Sequence, residues 1–483
     1  MLLIATDRSS AVPVYRQICR RIAQLIDEGS LEPGERLPPT RNLASALGVH
    51  RSTVVRAYDE CRAEGYLEST AGSYTRVRAR ARFPVAKGDC LRNVIDWDTA
   101  AIPDLGALPD LPSVPDGTID FDTFSSDPVL SPVDMLKRCV KQAIADHGAE
   151  VLGYTDPKGW PPLRKSIAER LCLHGMSVAA EQILITNGAH QALDLVLRML
   201  VRPDDSIAVE APSYGMFHRL TRLHRIRVME IPMTETGMDL EALGGTLTTG
   251  TVKLLYTMPN FQNPTGITTD QGHRERLIEM CESAGVPIVE DGFEEEMKYS
   301  GKAALPIKAI DTGGIVIYVG SFSKVVFSGL RVGWIAAPEN AIARLAAIQQ
   351  ASCLSVNTLS QAALHRFCGD GQFDSYLRRI HTVYRRRMQR MLHGLEHSMP
   401  PSVSWTRPVG GYTLWLTVGG QGKESAIRDA CSAAGVAIAP GQRFYASECS
   451  THHFRLSIAC VDEAQIDEGC RRLGEVLGSL RLS

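Results

Sequence analysis

Residues 321–333, Ser321-Phe322-Ser323-Lys324-Val325-Val326-Phe327-Ser328-Gly329-Leu330-Arg331-Val332-Gly333, decide how the chain reads. One lysine stands among small hydroxyl residues, after a β-rich segment and ahead of an arginine. That arrangement suits a phosphorylated carbonyl cofactor. Lys324 can form a Schiff base, and Ser321, Ser323 and Arg331 can hold a phosphate dianion.

Working upstream, Thr186-Asn187-Gly188-Ala189-His190-Gln191 follows an expected strand, Gln182–Thr186, and opens a helix. Backbone N–H groups of Gly188, Ala189 and His190 at such a start make a phosphate cradle. Pro212-Ser213-Tyr214 offers a ring, Tyr214, to stack on a pyridine. The run 259–266, Pro-Asn-Phe-Gln-Asn-Pro-Thr-Gly, places Asn263 to donate to a ring hydroxyl oxygen. The expected strand Val286–Glu290 delivers Asp291, whose carboxylate can keep a pyridine nitrogen protonated. Downstream, Phe454-Arg455-Leu456-Ser457 presents Arg455, suited to clamp a carboxylate through two parallel hydrogen bonds.

Around these motifs, from about residue 119 onward, helical and β-rich segments alternate. Val252–Met258, the helix Asp270–Ala284 and Ile315–Val319 are examples. This is the pattern of an α/β domain with a mostly parallel sheet. Before it, residues 78–118 begin with Arg78, Arg80 and Arg82, lead into a stretch with Pro103, Pro109, Pro112 and Pro115, and read as a semi-extended linker.

The first 77 residues read as a separate winged helix-turn-helix. Val14, Ile18, Ile22 and Ile26 fall at four-residue steps over a helix to Glu28. Thr40 is expected to cap a second helix ending near Leu47, with Gly48 as its stop. A third helix spans about Arg51–Glu64, and Tyr66-Leu67 and Tyr74–Val77 read as a β-wing around Ala71-Gly72-Ser73. A recognition helix reads bases with its N-terminal polar side chains, here His50, Arg51, Ser52 and Thr53, while Val54 and Tyr58 face inward. Arg51 suits guanine, Arg41 suits a phosphate, and Gly72 allows the wing tip close approach to the minor groove. Residues 1–82 carry thirteen Arg and no Lys against nine Asp or Glu, a net of +4, leaving −6 for the rest of a chain whose total is −2. A basic module on an acidic body fits a reader of double-stranded DNA.

From about residue 119 to 483 the order of motifs resembles the fold-type I aminotransferases of class I/II. That resemblance implies pyridoxal 5'-phosphate as cofactor and a smaller α+β subdomain beside the main sheet. It also implies a homodimer, because Gly153-Tyr154, with Asp156, Pro157 and Gly159, matches the segment whose tyrosine reaches the neighbouring subunit's cofactor phosphate. Residues 37–69, LPPTRNLASALGVHRSTVVRAYDECRAEGYLES, resemble the GntR superfamily's DNA-binding domain, with His50 where a serine cap is frequent and Tyr74 in place of a wing glycine. The whole chain is similar to the MocR-type regulators. Two positions depart from free aminotransferases. Lys324 and Arg331 are seven steps apart instead of eight, and Phe293 stands where a tyrosine would bond the ring hydroxyl oxygen.

Those implications describe a multidomain regulator: a reader (1–77), a linker (78–118) and a cofactor-binding effector domain (119–483). An amino-group effector, bound through Arg455 and Asn263, would react with the Lys324 aldimine, alter domain geometry and change operator binding. An active aminotransferase with an accessory winged helix is the alternative, and Phe293 argues for weakened turnover. A DNA-binding repressor with a mere dimerisation scaffold fits less well, since Lys324, Asp291, Asn263 and Arg455 are all present. Twelve cysteines without a C-x-x-C pair suggest neither a metal site nor a disulfide framework. Scattered thiols, no stretch of ~18 apolar residues and no signal-peptide pattern in MLLIATDRSS lead to the expectation of a cytoplasmic protein without membrane contact.

Overall fold

The computed structural model describes residues 4, 6–7, 10, 12–69, 74–78, 105, 115, 117–301, 304–420 and 423–479. Gly72, expected at the wing tip, and nearly all of the 78–118 stretch expected as a linker lie outside the described residues. The chain divides into two units, Met1–Ala100 and Ala101–Ser483.

In the first unit, three helices and a two-stranded wing enclose one small core. Helix α1 spans Val14–Asp27 and buries Ile18 and Ile22 completely, as the four-residue spacing requires. Helix α2 covers Thr40–Leu47, and Gly48 ends it in the left-handed conformation (φ 62°), which a glycine adopts without Cβ strain. Thr40 does not cap this helix. Pro39, extended at ψ 141°, occupies the cap position, so Thr40 is already helical and its hydroxyl instead accepts from Arg51 Nε at 3.5 Å. Helix α3, Arg51–Ala63, buries Val54, Ala57 and Tyr58, and Tyr58 donates its hydroxyl to the Pro38 carbonyl at 2.8 Å. His50 caps α3 through its side chain, which accepts from the Ser52 N–H. Strands β1 (Leu67–Glu68) and β2 (Arg76–Val77) form the antiparallel wing.

The second unit is built on an eight-stranded sheet. Its strands are β3 (Ile183–Thr186), β4 (Ser206–Ala211), β5 (Arg227–Thr234), β6 (Gly237–Met238), β7 (Val252–Thr257), β8 (Ile288–Asp291), β9 (Val316–Ser321) and β10 (Gly333–Ala336). Their order is β3-β10-β9-β8-β7-β4-β5-β6. The central run β9-β8-β7-β4-β5 is parallel, and only β10 and the short edge strand β6 oppose it. Strands β3, β8 and β9 are buried at every residue, the signature of a sheet covered on both faces. Asp270 caps the helix Gln271–Ala284 by accepting from the His273 N–H at 2.8 Å.

A smaller α+β part follows, with an antiparallel sheet ordered Val403–Trp405, Thr413–Val418, His452–Ser457, Ala439–Pro440. The short strand Ile119–Asp120 pairs in parallel with Val436–Ala437, and the Ser457 N–H donates to the Phe121 carbonyl at 2.9 Å. That attachment carries the following residues, Asp122 to Phe124, to the mouth of the main sheet.

Candidate functional site

In an open parallel sheet, ligands bind beyond the carboxyl ends of the strands. Five such ends converge here. Thr186 ends β3 and leads to Gly188, Ala211 ends β4 and leads to Tyr214, and Thr257 ends β7 ahead of Asn263. Asp291 is the last residue of β8, and Ser321 is the last of β9, three before Lys324. The enclosed cavity has a volume of about 270 Å³. Ala189 and His190 line it from a helix start, Tyr214 and Asn263 from loops, and Asp291, Ser321, Ser323, Lys324 and Arg331 from the strand ends.

Arg331 takes the left-handed conformation (φ 52°) and donates Nη2 to the Asn187 carbonyl at 2.9 Å. Its guanidinium thereby lies against Gly188, where an added Cβ would sit 2.8 Å from Nη2. Gly188 itself has φ 87°, so close approach and backbone conformation both demand glycine there. Helix Ala189–Leu200 starts at this point with its N–H groups free to meet an anion. Ser321 Oγ accepts from the Ser323 N–H at 3.0 Å, whereas Ser323 Oγ is buried without a partner. The His190 ring meets Tyr214 edge-on at 6.3 Å, and burial pulls its pKa down, keeping the imidazole neutral.

Asp291 is 3% exposed. Its Oδ2 accepts from the Tyr256 hydroxyl at 2.8 Å, while Oδ1 is buried with no partner. Burial pushes its pKa up to about 7, opposed by the Tyr256 hydrogen bond. A buried acceptor without a donor costs stability unless something else supplies the proton. A protonated pyridine nitrogen would do so. The donor-lined anion cradle, the unpaired Asp291 oxygen and an amine in one cavity fit pyridoxal phosphate.

Lys324 donates to the Phe124 carbonyl, and its ammonium lies 4.2 Å from the centre of the Phe124 ring. Burial pulls its pKa down to about 8, with Glu294 as the leading opposing influence. Arg455, 7% exposed, donates Nη1 to Asn263 Oδ1 at 3.2 Å and Nη2 to the Asp122 carbonyl at 2.7 Å. Its Nε is buried and unpartnered. Because Asn263 spends its oxygen on Arg455, its NH₂ remains the group to offer a ligand.

Four residues of the site escaped the sequence reading. Asp122 and Phe124 arrive from the first residues of the domain, where no motif was singled out. Tyr256 lies on β7, where an aromatic in a buried strand looks like core. Glu294 is 1% exposed with both carboxylate oxygens unpartnered, and burial pushes its pKa up to about 8. The acidic run Glu294-Glu295-Glu296 following Asp291 was a signal that could have marked it. Phe293 lines the cavity and meets Phe124 edge-on at 6.1 Å, offering a hydrocarbon face where a hydroxyl was expected to be missing. Tyr154 is 83% exposed and is not among the residues lining its own chain's cavity.

In the first unit, Arg41 on α2 and His50, Arg51 and Ser52 at the start of α3 are exposed, and Thr53 is half-buried. Val54 and Tyr58 point into the core. Exposed Tyr74 carries the Arg36 guanidinium 4.8 Å from its ring centre.

Comparison with known proteins agrees with both halves. Residues 130–473 match the family model for aminotransferase class I and II, and residues 14–77 match that for bacterial regulatory proteins of the gntR family. An uncharacterized HTH-type transcriptional regulator, YisV, of Bacillus subtilis is 32% identical over 85% of each chain. The probable rhizopine catabolism regulatory protein MocR of Rhizobium meliloti is 30% identical over 87% of each. Among solved structures, the α-aminoadipate aminotransferase LysN of Thermus thermophilus, complexed with N-(5'-phosphopyridoxyl)-L-leucine, superposes with a TM-score of 0.71. It is 34% identical, with 76% of this chain and 94% of that one covered. This chain thus belongs to the class I and II aminotransferase family and, joined to a gntR-type reader as in its full-length relatives, is of the MocR type.

Proposed function

We propose that the chain is a pyridoxal-phosphate-dependent transcription regulator whose DNA binding answers to a small amino-group ligand. The observation that carries this is the unpaired oxygen of Asp291, a residue lining the same cavity as Lys324, in a chain with a gntR-type reader. Bound there, pyridoxal phosphate supplies a carbonyl that condenses with amines and a protonated ring that withdraws electrons. Asp291 would hold the ring nitrogen's proton. Ser321, Ser323, Arg331 and the N–H groups of Gly188, Ala189 and His190 would hold the phosphate. Tyr214 would lie over the ring, Asn263 would donate to its hydroxyl oxygen, and Lys324 would anchor the carbonyl. Tyr154, exposed on its own chain, would complete the phosphate site of the partner subunit in a homodimer.

Lowering the Lys324 pKa to about 8 leaves about a tenth of the amine neutral at pH 7, far more than an ordinary lysine. Only the neutral amine can attack a carbonyl. A ligand's amine would compete with Lys324 for that carbonyl, while Arg455, whose Nε has no partner, would hold the ligand's carboxylate. Such a ligand changes operator affinity only by its differential affinity for the two states. Arg51, His50, Ser52, Thr53 and Arg41 would contact double-stranded DNA, with Gly72 at the wing. No helix among the described residues is long and apolar enough to cross a membrane, and a DNA reader of this kind works in the cytoplasm.

An aminotransferase activity is the second reading, favoured by the convergence of Lys324, Asp291, Asn263 and Arg455. The deciding experiment is an operator-binding assay on the cofactor-loaded protein, with and without a panel of amino compounds, beside an assay for keto-acid-dependent turnover. A ligand-dependent change in DNA affinity without turnover supports the regulator. Turnover with unchanged DNA affinity supports the enzyme.

A further inference from the structure

Two cysteines meet in the core of the first unit. Cys19 lies on α1 and Cys61 near the end of α3, 42 positions apart in the chain. The Cys61 thiol donates to Cys19 Sγ at 2.7 Å, and its sulfur lies 3.7 Å from the Cys19 carbonyl oxygen. A disulfide bond is about 2.05 Å long, so the sulfurs need to close by only about 0.7 Å to be joined.

The two thiols are not equivalent. Cys61 is completely buried, whereas Cys19 donates to Oε2 of exposed Glu64 at 3.7 Å. Burial pushes both thiols up. The hydrogen bond from Cys61 opposes that effect at Cys19 and adds to it at Cys61. Cys19 is therefore the easier of the two to ionise, and the Glu64 carboxylate is placed to take its proton toward water. Cys61 stands behind it as the resolving thiol.

A bond here acts on a reader with little core to spare. Three helices and a two-stranded wing enclose one small apolar cluster, and domains of this size are only marginally stable. Joining residues 19 and 61 ties α1 to α3 and restricts the intervening chain, α2 included, in the unfolded state.

We propose that Cys19 and Cys61 form a reversible disulfide when the chain meets a peroxide, and that this link holds the DNA reader folded. The Cys19 sulfur attacks one peroxide oxygen; the O–O bond breaks, an S–O bond forms and water leaves. The Cys61 sulfur then displaces the hydroxyl as a second water, and the S–S bond forms. Two electrons pass from the sulfurs to the peroxide, and both thiol protons end in water. A thiol reductant reverses the link, so the pair stays open in a reducing compartment.

The test uses the full-length, cofactor-loaded protein treated with hydrogen peroxide, then alkylated and digested without reductant. Peptide mass analysis should find Cys19 joined to Cys61, and dithiothreitol should free both. Hydrogen exchange supplies the second readout. The slowest amides of α1 and α3 should exchange about tenfold or more slowly in the oxidised protein, while those of the second unit keep their rates. Cys61→Ala should lose both effects, and Cys172→Ala, at an exposed thiol outside the reader, should keep both. Should Cys61→Ala fail to fold, the oxidised and reduced wild-type proteins decide alone. Cys19 and Cys61 recovered as separate thiols, from protein whose Cys172 has been oxidised, overturn the disulfide. A link that leaves exchange in α1 and α3 unchanged overturns its role in holding the reader.

Discussion

The Tyr256 hydroxyl donates to Asp291 Oδ2 at 2.8 Å, and this bond, together with the Phe293 backbone, works against the burial that pushes the carboxyl toward its neutral form. Burial alone drives Asp291 toward the neutral acid, which could not keep a ring nitrogen protonated. Tyr256→Phe removes the donor, so the Asp291 pKa should climb further above its already raised value of about 7. A hydrogen bond to a charged group contributes about 1.5–3 kcal/mol. Cofactor affinity at pH 7 should accordingly weaken by roughly one to two powers of ten, with partial recovery as pH rises and Asp291 ionises. Equilibrium titration of the apo-protein with pyridoxal phosphate at several pH values measures it; an unchanged dissociation constant would separate Asp291 from the ring.

Lys324→Ala tests the anchor. In the proposed site the lysine is a reactant, while the phosphate cradle of Gly188, Ser321, Ser323 and Arg331 would be independent of it. The variant should fold, retain the cofactor weakly, and lose the long-wavelength absorbance band and the borohydride-reducible adduct. An adduct that survives on another lysine, located by peptide mass analysis, would move the site elsewhere. The same variant should still bind operator DNA but lose its response to the amino ligand.

Much of this site could be read in the sequence because its parts are contiguous segments at strand ends. Gly188 to His190, Asn263, Asp291 and Ser321 to Arg331 each carry their chemistry within a few residues, and the sheet order then brings the segments together. The missed residues are those whose roles exist only after the chain closes. Asp122 and Arg455 lie 333 positions apart and meet because Ile119–Asp120 pairs with Val436–Ala437. Tyr256 reads as core until β7 is seen beside β8. In the reader, the error at Thr40 is local: Pro39 already supplies the extended cap geometry, so the helix begins one residue earlier than a threonine cap implies.

Glu294 and Lys324 are both held near a pKa of about 8, one pushed up by burial and the other pulled down by it. Arg455 and the Glu294 carboxylate act on the Lys324 charge in opposite senses, the carboxylate favouring the ammonium. Glu294→Gln removes the anion without changing the volume. Lys324 should then lose its proton at lower pH, and the rate at which the apo-protein attaches pyridoxal phosphate should rise at lower pH than in the wild type. Stopped-flow absorbance across pH 6 to about 9 reads the midpoint. A midpoint that stays put would make Glu294 a space-filling group.

Phe293 fills its place in the cavity wall with hydrocarbon, edge-on to Phe124. Phe293→Tyr adds a donor toward the cofactor's ring hydroxyl oxygen and should stabilise the ionised oxygen, lowering the apparent pKa of the bound cofactor's absorbance. A pH titration of the spectrum in both proteins compares them directly. If turnover with a keto acid rises in parallel, the phenylalanine is what restrains enzymatic activity in this chain.

The last prediction separates reading from holding on DNA. Arg51 and Arg41 are both exposed on the first unit, but Arg51 opens α3 while Arg41 lies on α2. Arg51 Nε reaches Thr40 Oγ1 at 3.5 Å, a contact too long to immobilise the side chain. The remaining guanidinium donors are therefore free to address two acceptors on a guanine edge. Arg51→Ala should cost on the order of 1–3 kcal/mol at one base position per half-site and relax the preference there. Arg41→Ala should weaken every sequence alike and flatten the salt dependence by about one unit of slope, as loss of one phosphate contact does. Binding of operator variants across a salt series distinguishes the two. Neither substitution should move the cofactor's absorbance, because both arginines belong to the first unit and the cofactor cavity is built from the second. A uniform loss in Arg51→Ala, with base preference intact, would reassign Arg51 to the phosphate backbone and leave Ser52 and Thr53 as the base-reading side chains.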